Sequence, residues 1–273
     1  MPDARQPWAL ILGASSGFGE AAARALSVAG YDIAGVHLDR RQGLDHVAEI
    51  RAAIASHGRE SLFENMNAAD DEKRATFLAA LRERFTAQQA ATGRRPYVRV
   101  VMHSLAFGTL KPFLGPEVDS SINRKNMEMT LDVMAHSLVY WVQDLWRGGF
   151  LEDGSKVYAM TSEGASRVIR NYGAVSAAKT ALESHCRQLA MVLAKIRTGV
   201  TVNAIRAGVT MTPALMQIPE RDDLIDHANS KNPHGRMTTT EDVAQAIVAL
   251  SAEGTHWLTG NVIGIDGGEF FSG

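Results

Sequence analysis

The feature that most constrains the fold is a repeated alternation of short apolar runs with segments of helix length. Strands separated in this way pair in parallel, because a parallel connection needs a crossover of a dozen or more residues, usually a helix. Helices then cover both faces of the sheet. We therefore predict a doubly wound α/β fold with a seven-stranded parallel sheet. The predicted strands are WALIL (8–12), YDIAGVHL (31–38), SLFENM (61–66), VRVVMHSL (98–105), SKVYAMTS (155–162), VTVNAIR (200–206) and NVIGID (261–266).

The segments between the predicted strands carry apolar residues at helical spacing, and one segment breaks this rhythm. The clearest predicted helices cover 20–30, 70–89, 122–146 and 174–197. The stretch 209–237 follows a predicted strand and contains three prolines. A connection this long after a strand end is more typical of a functional lid than of a simple connector. We therefore predict one domain, residues 1–273, with a substrate-binding lid over 209–237.

Composition and charge limit the classes of function. The 273 residues are 45% hydrophobic, enough for a large core, and the formal net charge is -2 at pH 7. Lys and Arg are dispersed, which predicts no nucleic-acid partner. The only cysteine, Cys186, gives no intrachain disulfide, and the first apolar run is too short for a signal peptide or a membrane span. No histidine cluster has metal-ligand spacing. We expect a cytoplasmic protein without a metal or a membrane partner.

A glycine-rich loop, LGASSGFGE, follows the first predicted strand and opens the first predicted helix. Glycines at this place let the backbone turn tightly and approach a pyrophosphate, whose charge the helix N-terminus stabilises. The two serines add hydroxyl donors. The context of strand, loop and helix predicts a dinucleotide site of Rossmann type. The candidate contacts are Gly13, Ser15, Ser16, Gly17, Phe18 and Gly19.

The end of the second predicted strand bears on the choice of dinucleotide. An acid there binds the ribose hydroxyls of NAD, whereas a 2′-phosphate favours arginine. The sequence offers both, since Asp39 lies between His37 and the pair Arg40 and Arg41. We favour NADPH over NADH, because two arginines and a histidine form the better phosphate site. Asp39 as the ribose ligand, with both arginines merely solvated, remains the alternative.

The segment YGAVSAAK (172–179) places Tyr172 and Lys179 seven positions apart in a predicted helix. At 100° per residue the two side chains return to one helix face. An ammonium near a phenol lowers the tyrosine pKa and favours its use as an acid or an oxyanion partner. Ser162 ends the preceding strand at the carboxyl edge of the sheet, where ligands bind in open α/β folds. We therefore predict that Tyr172, Lys179 and Ser162 are catalytic.

These residues resemble the short-chain dehydrogenase/reductases, from the glycine loop to the segment TGNVIGIDGG (259–268) near the carboxyl terminus. Most members of that superfamily have catalytic Tyr and Lys four positions apart. The wider Tyr-x6-Lys spacing is similar to that of the divergent branch of enoyl-[acyl-carrier-protein] reductases. Three other segments resemble the same branch, namely HSLAFG (103–108), TLDVMAHS (130–137), with Met134 in place of an active-site asparagine, and AGVTMTPAL (207–215).

The resemblance implies an NAD(P)H-dependent reduction of the C2=C3 double bond of a trans-2-enoyl thioester in fatty acid synthesis. The acyl group would be carried by acyl carrier protein or coenzyme A, and the enzyme would be a homotetramer. Tyr172 would donate to the enolate oxygen, Lys179 would hold the nicotinamide ribose, and Ser162 would add a second hydrogen bond. The further cofactor contacts that the resemblance implies are Asn67, Ala68, Ser104, Leu105, Ala106, Gly208, Val209, Thr210 and Thr212.

Two departures from the branch keep alternatives open. Ser162 stands where many enoyl reductases carry an aromatic residue, and Val209 replaces a proline beside the nicotinamide. A serine at that place is similar to the hydroxyl of ketoreductases, so a 3-oxoacyl or other carbonyl reductase is the first alternative. A dinucleotide-binding sensor without turnover is the second, because a fold does not guarantee a function.

Overall fold

The computed structural model describes residues 5–196, 198–219 and 221–272, with the side chain of Val118 left aside. The first four residues, Arg197, Glu220 and Gly273 therefore lie outside the described part. All of them belong to the predicted domain. Arg197 falls in its predicted helix over 174–197, and Glu220 falls in its predicted lid.

A seven-stranded parallel sheet forms the centre of the described chain, with strand order β3-β2-β1-β4-β5-β6-β7. Each predicted strand is confirmed within a few residues. The chain order reverses between β1 and β4, and ligands bind at such a switch point outside the carboxyl ends of the strands. The strands are β1 (Arg5–Leu12), β2 (Asp32–His37), β3 (Ser61–Asn65), β4 (Arg95–His103), β5 (Lys156–Thr161), β6 (Thr201–Ala207) and β7 (Val262–Ile265).

Helices cover both faces of the sheet, as the doubly wound fold requires. The long helical patterns are confirmed, and the predicted lid contains a helix of its own, α7. Between α4 and α5 the helix widens into a π-helical turn over Asp132–His136, which sequence periodicity did not indicate. The described helices are α1 (Gly17–Val28), α2 (Leu44–Ser56), α3 (Asp71–Thr92), α4 (Arg124–Leu131), α5 (Ser137–Arg147), α6 (Gly173–Lys195), α7 (Arg221–Lys231) and α8 (Thr240–Leu250).

The core consists of two apolar layers, one on each side of the sheet. One layer packs α3, α5 and α6 against the sheet around Trp141, and the other packs α1, α2 and α8 around Ile33. The central strands are buried on both faces, which explains their near-continuous apolar sequence, whereas the edge strands β3 and β7 are partly exposed. None of the helices in the described ranges is long and apolar enough to span a bilayer.

Candidate active site

The glycine loop turns sharply from β1 into α1 and approaches the loop after β4. Gly13 has φ +91, and a Cβ at Gly13 would lie 2.5 Å from the carbonyl oxygen of Ser104. A Cβ at Gly19 would collide with the carbonyl oxygen of Gly13, and Gly17 has φ +54. Side chains at these three positions would therefore push the helix away from the strand or strain the backbone. The glycines fit the close backbone approach that a pyrophosphate site needs.

The amino terminus of α1 has no side-chain cap. Ser16 is the N-cap residue, but its hydroxyl accepts no hydrogen bond from the first turn. Ser15 makes no side-chain hydrogen bond to any other described residue. The N–H groups at a helix start need partners outside the helix and carry its positive dipole end. Here the N-terminus of α1 suits an anion such as a pyrophosphate.

The carboxyl end of β2 presents a fixed carboxylate. His37 is buried, and its Nδ1 lies 2.8 Å from Oδ2 of Asp39. Asn65, at the end of the neighbouring strand β3, accepts the Asp39 N–H at 2.9 Å and donates to the Asp39 carbonyl at 2.9 Å. Arg40 and Arg41 are exposed, and neither forms an ion pair within the described ranges. Sequence reasoning missed Asn65, whose only signal was its position at a strand end.

The predicted adenine-contacting pair follows β3 at the same edge of the sheet. Asn67 is exposed, and its Oδ1 accepts the Ala69 N–H at 3.0 Å. Ala68 is buried, and its carbonyl accepts the indole N–H of Trp141 at 2.8 Å. The side chain of Asn67 is thus the accessible polar group of this pair, one strand beyond Asp39.

The segment after β4 joins the glycine loop to Lys179. The Ser104 N–H donates to the Leu12 carbonyl at 2.8 Å, and the Leu105 carbonyl lies 3.4 Å from Nζ of Lys179. The next residue, Ala106, is exposed. This segment therefore lines the switch point between β1 and β4, and its cofactor contacts remain a prediction.

Tyr172 lies at the start of α6 and not within it, contrary to the sequence interpretation. It is the N-cap residue, and the helix begins at Gly173. Its ring packs against Gly164, where a Cβ would lie 2.6 Å from Cε1 of Tyr172. Ser162 lies within hydrogen-bonding reach of the Tyr172 phenol, and its hydroxyl accepts the Gly164 N–H at 3.1 Å. Ser162 therefore faces the phenol and caps the next turn.

The pKa of Tyr172 shifts in the direction opposite to the one expected from a nearby lysine. Burial raises the pKa of the phenol, the hydrogen bond with Ser162 lowers it, and the charge of Glu163 raises it further. Lys179 is not among the causes. The phenol therefore keeps its proton at neutral pH, as a hydrogen-bond donor must.

Lys179 reaches the carboxyl ends of β4 and β5. Its side chain is buried, and Nζ donates to the Met160 carbonyl at 2.6 Å and to the Leu105 carbonyl at 3.4 Å. Burial lowers the pKa of Lys179 from 10.5 to about 8. Lys179 is held on backbone carbonyls at the edge where the cofactor would bind, and its charge is not among the causes of the Tyr172 pKa shift.

Met134 lies in the π-helical turn and is 2% exposed. A Cβ at Gly108 would lie 2.7 Å from the sulfur of Met134 and 2.7 Å from Cγ2 of Val175. The segment after β4 therefore packs directly on α6 and on the π-helical turn. The wall of the site is apolar at the position where ketoreductases, by the resemblance noted above, carry an asparagine.

The loop after β6 lies over the glycine loop. A Cβ at Gly17 would lie 3.4 Å from Cγ2 of Thr212. The hydroxyl of Thr210 donates to the Gly208 carbonyl at 2.9 Å, and that of Thr212 accepts the Leu215 N–H at 3.2 Å. Both hydroxyls thus fix the loop locally, while their position beside the glycine loop is the one predicted for cofactor contacts.

Comparison with known proteins gives matches to enoyl reductases and to a ketoreductase. The chain is 31% identical over 174 residues to the enoyl-[acyl-carrier-protein] reductase [NADH] FabI of Aquifex aeolicus (strain VF5), a match covering 64% of this chain and 63% of that enzyme. The crystal structure of the enoyl-[acyl-carrier-protein] reductase (NADH) from Aquifex aeolicus VF5 superposes with a TM-score of 0.79 at 25% identity, covering 98% and 97% of the chains. The angucycline C-6 ketoreductase LanV with bound NADP shares the fold, with a TM-score of 0.80 at 22% identity and coverage of 98% and 96%.

The preference for NADPH that the two arginines suggested is wrong. The Aquifex enzyme, similar in sequence and in structure, is named for NADH. The structure supplies a physical reason, since Asp39 is fixed at the end of β2 whereas Arg40 and Arg41 extend into solvent. A fixed carboxylate accepts ribose hydroxyls and repels a 2′-phosphate. The neighbouring arginines misled the sequence interpretation, because sequence alone does not show which side chain is held at the strand end.

The family assignment rests on a match over most of the chain. The family model described as enoyl-(acyl carrier protein) reductase matches residues 13–269. This range includes the glycine loop, Tyr172, Lys179 and the turn after β7. The chain therefore belongs to the enoyl-(acyl carrier protein) reductase family, a branch of the short-chain dehydrogenase/reductases.

Proposed function

We propose that the protein reduces the C2=C3 double bond of a trans-2-enoyl thioester with NADH. The observation that carries this proposal is the Tyr172 phenol at the start of α6, whose raised pKa keeps it protonated, together with Met134 in the π-helical turn where ketoreductases carry an asparagine. Such a site offers a hydrogen-bond donor to an oxygen. It offers no asparagine beside the π-helical turn to continue a proton relay.

The residues at the carboxyl edge fit a bound dinucleotide. The glycine loop and the uncapped start of α1 would hold the pyrophosphate, and Asp39 would accept the hydroxyls of the adenosine ribose. Asn67 and the segment from Ser104 to Ala106 would line the remaining surface. When bound, NADH supplies the hydride, while the protein supplies position and electrostatics.

Tyr172 is the proposed donor to the thioester oxygen. As hydride adds to C3, negative charge develops on that oxygen as an enolate, and a prepositioned phenol stabilises the charge. Burial keeps the phenol protonated, and Ser162 lies within hydrogen-bonding reach of it. Lys179, anchored between the carbonyls of Met160 and Leu105, would donate to the hydroxyls of the nicotinamide ribose.

A carbonyl reductase is the second candidate function. The hydrogen bond between Ser162 and Tyr172 favours it, because the same pair can hold a ketone oxygen and protonate an alkoxide. Met134 weighs against it, since its thioether cannot continue a proton relay. The matched segment spans 63% of the first curated relative, so the substrate stays a proposal for this chain.

The test of the proposed function measures the oxidation of NADH and of NADPH. Each coenzyme is tested with crotonyl and longer trans-2-enoyl thioesters and with acetoacetyl thioester. Acyl carrier protein and coenzyme A should be compared as carriers, and we propose acyl carrier protein as the natural one. Turnover of the enoyl substrates with NADH is the expected result. Turnover of the 3-oxo substrate alone would replace the proposal with the carbonyl reductase.

Replacing Asp39 by serine is expected to shift the preference toward NADPH by about 10- to 100-fold, because one charge-assisted hydrogen bond to the ribose contributes about 1.5–3 kcal/mol and the repulsion of a 2′-phosphate disappears. The measurement is kcat/KM with each coenzyme. The control is Asp45→Ser on the exposed start of α2. An unchanged ratio in Asp39→Ser would remove Asp39 from the ribose site.

We also propose that the enzyme works in the cytoplasm as a homotetramer, with 209–237 as the substrate lid. An apolar groove between α5 and α6 supports assembly, lined by Val139, Val142, Trp146, Leu189, Val192 and Ile196. Sedimentation should give four times the chain mass, and Trp146→Glu should give smaller species, because burying an unpaired charge at an interface is costly. A wild-type monomer would contradict the assembly proposal.

A further inference from the structure

The turn after β7 contacts the loop that follows β6. Glu269 is 8% exposed, and its Oε1 accepts the Val209 N–H at 3.0 Å. A Cβ at Gly208 would lie 2.9 Å from the other carboxylate oxygen, so the backbone passes closely beneath the carboxylate. A side chain at Gly208 would therefore crowd Glu269, and its Cβ would also collide with Oγ1 of Thr238. We call residues 266–271 the C-terminal clasp.

The clasp also holds the end of the predicted lid. Asn232 follows α7 directly, is 5% exposed, and donates from Nδ2 to the Asp266 carbonyl at 3.0 Å. Its Oδ1 accepts the His234 N–H at 3.0 Å, and its amide lies near enough to Glu269 to favour the ionised carboxylate. One buried amide therefore links α7 to the clasp.

The third contact of the clasp is with the segment that leads to Tyr172. The Phe270 carbonyl accepts a hydrogen bond from Arg167, which lies between Ser162 and Tyr172 in the chain. The guanidinium of Arg167 lies 4.5 Å from the centre of the Phe270 ring, and that of Arg206 lies 3.6 Å from it. Cation–π contacts of this kind stabilise the ring at a partly buried position.

Resting on the proposed use of NADH, we infer that Glu269 is a positioning residue. Its carboxylate holds Val209 and thereby sets the loop 208–212 against the glycine loop, where the nicotinamide half of the cofactor would bind. Asn232 anchors the clasp at Asp266, and Arg167 and Arg206 anchor it at Phe270, on either side of Glu269 in the chain. Glu269 touches neither reacting atom and acts through the backbone of Val209.

The electrostatics around Glu269 make an isosteric test possible. Burial raises the pKa of the carboxyl, as do the charges of Glu163 and Asp266, while the Val209 N–H and Asn232 lower it. Arg206 pairs with Asp266 at 3.6 Å and thus neutralises part of the local charge. Because the ionised form gains little from these surroundings, a glutamine can replace it and still accept the Val209 N–H.

The experiment compares Glu269→Ala, Glu269→Gln and the control Glu253→Ala, an exposed glutamate after α8. Hydrogen exchange of the segment 208–212 is measured in the protein without cofactor, and the NADH dissociation constant is measured by fluorescence. We expect Glu269→Ala to speed exchange of the Val209 amide about 10-fold and to weaken NADH binding about 10-fold, the size of one buried hydrogen bond. In Glu269→Gln and Glu253→Ala, the exchange rate of the Val209 amide and the NADH dissociation constant should stay within about twofold of the wild-type values.

Either of two results would overturn the inference. One is unchanged exchange at Val209 in Glu269→Ala, whatever the activity. The other is an equal loss in Glu269→Ala and Glu269→Gln together with a general fall in Tm, which would give Glu269 a structural role only. A protein that shows the expected exchange and NADH effects but reduces no enoyl thioester would contradict the proposed reaction and leave the positioning role in place.

Discussion

Exchanging Tyr172 for phenylalanine is expected to lower turnover of a trans-2-enoyl thioester by about 10²- to 10³-fold, the usual effect of removing one donor to a developing oxyanion. NADH affinity should be nearly unchanged, because the phenol faces the substrate oxygen in the proposed mechanism. The ring itself should stay in place, since its packing against Gly164 does not depend on the hydroxyl. The measurement is kcat and KM for the thioester with the NADH dissociation constant beside them.

The control for this exchange is Tyr158→Phe on the neighbouring strand β5. Tyr158 is 2% exposed. Its hydroxyl donates at 2.8 Å to the carbonyl of Leu250, the last residue of α8, outside the proposed site. Tyr158→Phe should therefore lower Tm by removing a buried hydrogen bond and leave turnover unchanged. Full turnover in Tyr172→Phe would show that another group donates to the substrate oxygen. A matching loss in both variants would point to stability rather than chemistry.

The parts of the site that sequence reasoning found are those set by local backbone demands. Gly13, Gly17 and Gly19 could be predicted because a tight turn between a strand and a helix favours glycine, and the structure shows collisions for a Cβ at Gly13 and Gly19 and a positive φ at Gly17. The central strands could be predicted for a similar reason, since burial on both faces leaves a nearly continuous apolar run in them.

The parts that sequence reasoning missed depend on contacts between distant segments. Glu269 lies 60 residues from Val209, and only the turn after β7 brings its carboxylate to that N–H. Asp39 could not be distinguished from Arg40 by position, because Asn65 on the adjacent strand decides which residue is fixed. The π-helical turn around Met134 leaves no mark in the hydrophobic period, and turns of this kind occur often at functional sites.

Exchanging Lys179 for methionine is expected to weaken NADH binding by about 10- to 100-fold, since a charged hydrogen-bond donor contributes about 1.5–3 kcal/mol. Turnover should fall at least as much. The chain should still fold, because methionine fills a similar buried volume. The control is Lys195→Met, at the exposed end of the same helix α6. Normal NADH affinity in Lys179→Met would exclude the ammonium from the cofactor site.

The pH dependence of the same lysine gives two trends of opposite sign. Burial lowers the pKa of Lys179 to about 8, whereas the ordinary value of 10.5 applies to the unfolded chain. Between these values the unfolded chain binds a proton that the folded chain has released, so this residue makes the free energy of unfolding rise as pH increases from about 8 to about 10.5. NADH affinity should fall over the start of the same window, because the ammonium is lost.

Denaturant titrations of the wild type and Lys179→Met at pH 7.5 and pH 9.5 would measure the first trend as a difference between the proteins. A difference that does not change with pH would show that Lys179 keeps an ordinary pKa, and the predicted fall in NADH affinity above pH 8 would then not occur.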